Sequence, residues 1–486
     1  MAYPPLLQSL FEASDDSLYT TVERHLAEGE DPNYASQYGE TPLKQAFNRG
    51  RMDVFRQLLA HGADLSPLRW TPLHRAVALG TLAEVQALAP TTDPNARDRF
   101  GLTPFLLACD VGDVEKAKVL LPLCDRDGLY WSKDRTPAMT IAARKARLDM
   151  IRWLAGKGFD VDEADGYGNT ALIAAAEYDR AAAVELLLCL GADVNARYAL
   201  SAAVRDRGMD PESEALLADA PDFFETAASC TRSAAVARLL IDAGVAPQDF
   251  DNEVLNEVTG ASLIPQQRIT PAIYAAQQQR RFGNANPEAV ENAFWLEMVR
   301  RGVSGHEGHC LFGEGERDCS APAVWCFQRF GMSTTKLADG RWLQIAGEHE
   351  DFYDPDFCIY NDVVLHDGKG GVQIYAYPKE IFPPTDFHSA TLIENAVILI
   401  GNLGYPEDRR PGTTQVLRLD LADFAVQQVE TTGNAPGWLS RHRARRQGDS
   451  VMVWGGETWD GQDYHPLDGG YELDLKTGVW RKLPSA

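Results

Sequence analysis

Cysteine is scarce in this chain, long apolar runs are missing, and positive charge is in short supply. Eight cysteines in 486 residues are too sparse for a disulfide framework. The first four, Cys109, Cys124, Cys189 and Cys230, lie in helical patterns where a free thiol acts as a small hydrophobe. A reducing, cytoplasmic setting is expected. No stretch reaches the roughly 18 apolar residues of a membrane span, and no basic segment precedes an apolar run near Met1. Neither export nor anchoring is expected. A Gly-rich phosphate loop, a His-Glu-x-x-His pair and a Gly-x-Ser-x-Gly elbow are all absent, so no catalytic residue is assigned and the chain reads as non-enzymatic, with no cofactor. Lys and Arg number 46 against 70 Asp and Glu, a net charge of −24. Residues 1–304 hold 43 acidic and 30 basic side chains, and residues 305–486 hold 27 and 16. Such a field repels phosphate backbones and anionic lipid and speeds encounter with a basic protein.

What is present is repetition at two periods. Thr41-Pro42-Leu43, Thr71-Pro72-Leu73-His74, Thr103-Pro104, Thr136-Pro137 and Thr170-Ala171-Leu172 recur every 30 to 34 residues, whereas Gly347, Gly401 and Gly455 are each 54 apart. Periods near 33 and near 50 belong to stacked helix pairs and to propeller blades, which build surfaces for holding something. In the first array, Thr caps a helix whose first turn accepts Pro, and Val54, Leu58 and Leu59 make the apolar face of a second helix that stops at Gly62.

These residues resemble the ankyrin repeat. The loops Gly62-Ala63-Asp64, Asp93-Pro94-Asn95-Ala96-Arg97-Asp98 and Gly191-Ala192-Asp193-Val194-Asn195-Ala196 are similar to the finger between repeats. Five units are clear over 39–200, a degenerate one precedes them at 5–38, and the pattern decays over 200–304. Residues 200–218 are too short for a full unit, and a last unit runs from Thr270 to Gly302, broken by a polar stretch, Gln277–Asn286, that reads as a surface loop. In this family the finger tips and first-helix face contact partners. Tyr38, Phe100 and Tyr167 precede the finger glycines, and Trp70, Tyr130 and Trp131 fall at equivalent turns. This aromatic ladder is the candidate contact surface.

From about 325 the pattern changes to strands and turns. The 54-residue offset maps Leu365 to Leu419 to Leu473, Val363 to Leu417 to Tyr471, Val372 to Val426 to Trp480, and His388 to His442. Residues 435–484, with Gly455-Gly456, Tyr471 and Trp480, resemble a kelch repeat. The expected fold is therefore multidomain α + β: an ankyrin solenoid over 1–304, a Gly-rich connector over 305–324, and a kelch-like β-domain over 325–486. Three blades fall short of the usual ring of about four to eight. Three arrangements answer that shortage: an incomplete ring packed on the array, extra strands from 306–330, or two chains combined. Segment 222–304 and the connector are the expected cover.

Two clusters are candidates for ligands. His306, His309, Cys310, Cys319 and Cys326 contain zinc-ligand types at a spacing that fits no paired motif, so no metal is expected. Glu348, Glu350, Asp351, Asp354 and Asp356 form an acidic run suited to calcium or a basic side chain. The repetition of His388 and His442 argues for hydrogen bonds between neighbouring blades. Arg441 to Arg446 is a lone basic patch within an acidic domain, and pairing with the acidic run is expected. Ala-rich, Arg-over-Lys usage suggests a bacterial genome, and acidic bacterial ankyrin proteins resemble immunity proteins. The expected function is binding and neutralising a basic toxin or effector in the cytoplasm. The alternatives are a scaffold or host-directed effector and a metal-dependent propeller enzyme. Nothing in the chain sets an oligomeric state.

Overall fold

The computed structural model describes residues 3–131, 134–199, 224–315, 321–350 and 357–484. The chain divides into two compact units, Met1–Val245 and Ala246–Ala486.

Unit 1 is a run of helix pairs: Pro5–Glu12 with Asp15–Ala27, Pro42–Asn48 with Met52–Ala60, Pro72–Leu79 with Leu82–Leu88, Pro104–Val111 with Val114–Leu120, Ala138–Arg144 with Leu148–Gly156, Ala171–Glu177 with Ala181–Cys189, and Ala227–Cys230 with Ala234–Asp242. The threonines explain where first helices begin. The side chains of Thr41, Thr71, Thr103 and Thr170 accept the backbone N–H three residues on, satisfying a donor that the helix itself leaves open. Thr136 departs from the pattern. It pairs with Trp131 in a two-residue bridge, and the helix starts at Ala138 without a side-chain cap. Each pair buries its apolar stripe against its neighbours, as with Leu73 and Val77 or Leu172 and Ala175, all fully buried. The degenerate first unit is a complete helix pair; residues 200–218 lie outside the described residues.

Unit 2 is layered. Its three larger sheets are built on antiparallel meanders that follow one another in sequence; the short strand Thr432–Gly433 adds to the last of them in parallel, beside Val479–Lys482. Sheet 1 runs in the order Glu288–Val290, Val372–Ala376, Val363–His366, Trp342–Ile345, Ser333–Lys336; sheet 2 is Ser389–Ile393, Ala396–Ile400, Val416–Asp420, Val426–Gln428; sheet 3 is Thr432–Gly433, Val479–Lys482, Gly470–Asp474, Ser450–Trp454, Arg443–Gln447. Among the described residues no sheet closes on itself. The 54-residue offset falls on one strand of each meander. Leu365, Leu419 and Leu473 sit opposite Leu343, Val397 and Val451 in turn.

Alternation along the strands sets the layers. Val363 and Leu365 pack with Val397, Leu399, Leu417 and Leu419 between sheets 1 and 2, while Ile398, Ile400 and Val416 turn the other way onto Val451, Val453, Leu473 and Trp480 of sheet 3. The other face of sheet 1, with Val364 and Ile374, is covered by Phe294, Trp295 and Met298 from helix Ala293–Arg301 and by Trp325 and Phe327. Trp295 stacks on Trp325 at 4.6 Å and 6°. Arg329 locks this layer. Its buried guanidinium pairs with Asp362 at 2.5 Å, and Trp325 Nε1 donates to the same carboxylate at 2.7 Å.

Two expectations are corrected here. The polar stretch 277–286 is a loop but not a free one: Arg280 Nη1 donates to Ile359 O at 2.5 Å and Gly283 N to Tyr377 O at 2.9 Å, and just beyond it Val290 pairs with Ile374 as the outer strand of sheet 1. Glycine is needed at 283 because a Cβ there would lie 2.5 Å from Ala376 O. The connector expected over 305–324 begins as helix Gly305–Phe312, opened by a reciprocal Ser304/Glu307 cap. The stretch expected to end the array, 246–304, thus belongs to the compact β-rich unit.

Candidate interaction surfaces

The finger loops of unit 1 are tied to one another by short polar side chains. Asn33 Nδ2 donates to Gly62 O at 3.0 Å while its Oδ1 accepts from Asp64 N at 2.7 Å; Asn95 Oδ1 accepts from Asp125 N at 3.2 Å, and Asp162 Oδ1 from Asp193 N at 2.8 Å. Each tie spans about one repeat, and Arg99 N donating to Leu68 O at 2.9 Å and Gly166 N to Asp134 O at 2.7 Å bridge the intervening units, so the fingers form a continuous ribbon.

The aromatic ladder is uneven on this ribbon. Tyr38 is 73% exposed. Trp70 stacks on Phe55 at 5.5 Å and donates Nε1–H to Asp98 at 3.1 Å, and Phe100 stacks on Phe47 at 5.2 Å. Trp131 Nε1 donates to Phe100 O and lies under Arg144 at 4.5 Å; Tyr130 hydrogen-bonds Glu163 at 2.7 Å beneath Arg135, and Tyr167 reaches Asp134 at 3.3 Å. Apart from Tyr38, these rings are half-buried and packed between neighbouring repeats. Asp98, enclosed among them, accepts from Phe100 N, Leu102 N and Trp70 Nε1. Burial nevertheless raises its pKa to about 6.

In unit 2 the strand ends of the three sheets meet in one cluster of loops. Phe387 N donates to Gly331 O at 3.0 Å and Arg441 N to Phe387 O at 2.9 Å, which joins the entries of sheets 1, 2 and 3 in series. Phe387 and Arg441 hold φ of 48° and 57°, a strained region for side chains of that size. Immediately after each stands a buried histidine. His388 Nε2 shares a hydrogen bond with Ser333 Oγ and His442 Nε2 with Ser389 Oγ, both at 2.8 Å. The histidine of each later sheet therefore clasps the first strand of the sheet before it, in agreement with a structural role. Burial lowers the pKa of His388 to about 4, and burial with the neighbouring His388 lowers that of His442 to about 3. The cleft beside these strands has a volume of about 540 Å³ and is lined by Asp251, Phe330, Ser333, Phe387, His388 and Arg441 among others.

Glu348 belongs to this end, bonded through its backbone to Phe330. Burial, reinforced by the charge of Asp386, lifts its pKa to about 7. Asp386 is fully buried; Gly404 N donates to its Oδ1 at 2.7 Å while Oδ2 has no hydrogen bond, and burial lifts its pKa to about 6. Arg441 pairs with Glu457 at 3.1 Å over the ring of Phe387. Glu350 follows on this strand end, whereas Asp351, Asp354 and Asp356 lie outside the described residues. The repeated blade position that holds His388 also points to Asp386, two residues before it, whereas no sequence pattern marks Glu457, which stands in no charge run and no repeat.

The cysteine and histidine candidates are dispersed. His306 Nε2 and Cys310 Sγ approach to 3.6 Å one helical turn apart. His309 instead meets the Tyr274 hydroxyl at 2.9 Å and Gly315 O at 3.2 Å, and Cys326 is buried with its Sγ 3.4 Å from the Tyr360 hydroxyl. Cys319 lies outside the described residues. These side chains do not converge on one point.

A model of ankyrin repeats matches the chain in three overlapping copies, over residues 10–98, 80–165 and 105–198. Residues 10–198 are ankyrin repeats. The chain is 32% identical over 201 residues to the B-cell lymphoma 3 protein homolog of Mus musculus, covering 38% of this chain and 45% of that protein. It is 30% identical over 196 residues to the Ankyrin repeat domain-containing protein SAT10 of Stachybotrys chartarum, covering 38% and 10%. With the human SH3 and multiple ankyrin repeat domains protein 2 it shares 30% over 190 residues, covering 36% and 10%. The chain thus spans less than half the length of these curated relatives. Among solved structures, the ankyrin repeat domain of Bcl-3 aligns with 42% of this chain and 99% of that one at 28% identity, with a TM-score of 0.26. The human ASB11 ankyrin repeat domain aligns with 43% and 100% at 23% identity and a TM-score of 0.27. Beyond the repeats lies a β-rich region of several antiparallel sheets. Among the described residues no helix is long and apolar enough to cross a membrane.

Proposed function

We propose that this chain is a non-catalytic protein-binding protein whose ankyrin ribbon captures one basic partner, a toxin or effector, and blocks it. The repeat array carries this reading. Ankyrin repeats are protein-interaction modules, and here they stand in a chain of net charge −24, which favours encounter with a cationic surface. The toxin-neutralising part rests on charge and on resemblance. The relatives named above come from mouse, human and a fungus, so they lend no weight to a bacterial origin. The three meanders read as kelch-like blades of an open propeller, supported by the 54-residue offset and the repeated histidine–serine clasp. Tyr38, the exposed rung, is the first anchor to test.

The test is affinity capture of the full chain from its native cell, cross-linking to map the contact, and titration with the purified partner. One basic protein in fixed ratio, cross-linked to the fingers and bound more weakly at higher salt, is the expected result. Many partners at once indicate a scaffold. Cross-links confined to residues 246–486 would overturn the role given to the ribbon.

A further inference from the structure

A convergence of ligand atoms stands at the end of the second helix of unit 1, just ahead of the first finger loop. Among the described residues, His25, Glu28 and Glu30 are the one set whose potential ligand atoms all lie within 4.8 Å of one another. Local structure brings them together. Helix Asp15–Ala27 ends with Glu28 as its C-cap, Gly29 turns the chain at φ 86°, and Glu30 N donates back to His25 O at 3.1 Å. The turn sets a carboxylate from each side of Gly29 against the same ring nitrogen. His25 Nδ1 is 3.2 Å from Glu30 Oε1 and 3.5 Å from Glu28 Oε2.

An independent feature is the state of that nitrogen. His25 is 8% exposed, and its buried Nδ1 makes no hydrogen bond, because neither carboxylate oxygen approaches in a hydrogen-bonding direction. Ligand separations near this size are what a tetrahedral ion imposes: bonds of about 2.0–2.1 Å place neighbouring ligand atoms about 3.3 Å apart. Glu30 is already oriented, since its other oxygen accepts Leu6 N–H at 2.7 Å, the outer-shell support that metal carboxylates ordinarily have. The carbonyl end of the helix adds negative potential. Glu28 is 56% exposed on its side chain, which leaves an entry path and a coordination position for solvent.

We propose that His25, Glu28 and Glu30 bind one divalent transition-metal ion of the zinc class, with solvent completing the shell. Through Glu30 and Leu6 the ion would tie helix Pro5–Glu12 to helix Asp15–Ala27. One imidazole with two carboxylates suits Zn²⁺, Co²⁺ or Mn²⁺, whereas Ca²⁺ and Mg²⁺ select all-oxygen shells and Cu⁺ selects sulfur.

The probe is Co²⁺ added to the full-length protein after chelator treatment and dialysis. We expect saturable one-to-one uptake with visible d–d absorption, no sulfur-to-cobalt charge-transfer band, and displacement by Zn²⁺. Glu28→Gln, a change at an exposed side chain, and His25→Ala should each weaken cobalt binding at least about tenfold, with circular dichroism confirming that both fold. Cys310→Ser, at the His306–Cys310 pair, should leave binding unchanged. The proposal is overturned if no saturable uptake occurs, which would leave the three side chains as an ordinary ion-pair cluster. It is equally overturned if Glu28→Gln binds as tightly as the native chain, or if the cobalt spectrum shows a thiolate band that Cys310→Ser removes.

Discussion

Asp386 shows how one buried carboxyl governs a pH response. Its pKa is raised from 3.8 to about 6, first by burial and against the hydrogen bond from Gly404 N. The folded state therefore holds the proton more tightly than the unfolded one, and the stabilisation present at low pH is lost as pH rises through about 4 to 6. At 1.36 kcal/mol per unit this amounts to about 3 kcal/mol. Asp386→Asn copies the protonated form and keeps an acceptor for Gly404. The stability of the variant relative to the native chain is expected to grow by about 2–3 kcal/mol between pH 4 and 7, measured by denaturant unfolding at each pH. Glu348 should titrate lower in the variant, since the Asp386 charge is the second cause of its raised pKa. A difference that stays flat with pH would show that Asp386 is ionised throughout. His388 and His442 act in the opposite sense. Their lowered pKa values mean that the stability gained by keeping them neutral is lost as pH falls below about 6.5.

The same scale separates the aromatic rungs. Phe100→Ala removes a ring stacked on buried Phe47 and should destabilise unit 1 by about 1–3 kcal/mol, whereas Tyr38→Ala, at an exposed ring, should stay within about 0.5 kcal/mol and act on partner affinity alone. Thermal melts beside partner titrations check both. The spacing of the rungs was readable because the repeat dictates it. Their burial was not, since it depends on which rings other repeats offer: Phe47 and Phe55 reach Trp70 and Phe100, while Tyr38 stays 73% exposed.

At the scale of the element, the repeats were legible wherever one residue does one local task. The caps at Thr41, Thr71, Thr103 and Thr170, the finger loops and the offset from Leu365 to Leu419 to Leu473 fall on the expected structural positions, whereas Thr136 caps no helix and Val372 stands one residue out of register with Val426 and Trp480. Segment 277–290 was not legible, because its polar residues serve partners far along the chain. Asn286 is the clearest case: its Nδ2 donates to Val426 O at 2.8 Å and its Oδ1 accepts from Val426 N at 2.9 Å, 140 residues away. That pair closes the free edge of sheet 2 much as a strand would. Asn286→Ala leaves two partly buried backbone groups of Val426 unpaired and is expected to cost about 1–3 kcal/mol. Hydrogen exchange should speed at Val426 and its neighbours; unchanged protection there would mean that water takes over the bonds.

At the scale of the molecule, three open sheets need two different endings. Sheet 1 turns Val364 and Ile374 away from sheet 2 and buries them under Phe294, Trp295 and Trp325, so a helical layer stands where a further sheet would. Within unit 2, sheet 3 carries no such layer among the described residues, and its outer side chains are exposed or half-buried. Its outward strand positions Arg445, Met452, Glu472 and Arg481 lie in register across neighbouring strands, and charge on that face discourages another sheet from docking. The fragment 325–486 keeps the second ending and loses the first, together with outer strand Glu288–Val290 and the Asn286 clamp. It should aggregate or self-associate when expressed alone. The fragment 246–486 contains the whole layered unit and should be soluble and monomeric, with one cooperative unfolding transition seen alike by tryptophan fluorescence and circular dichroism. A monomeric, cooperatively folding 325–486 would show that the helical layer is dispensable, and an insoluble 246–486 would show that the unit needs residues from the repeat array to fold.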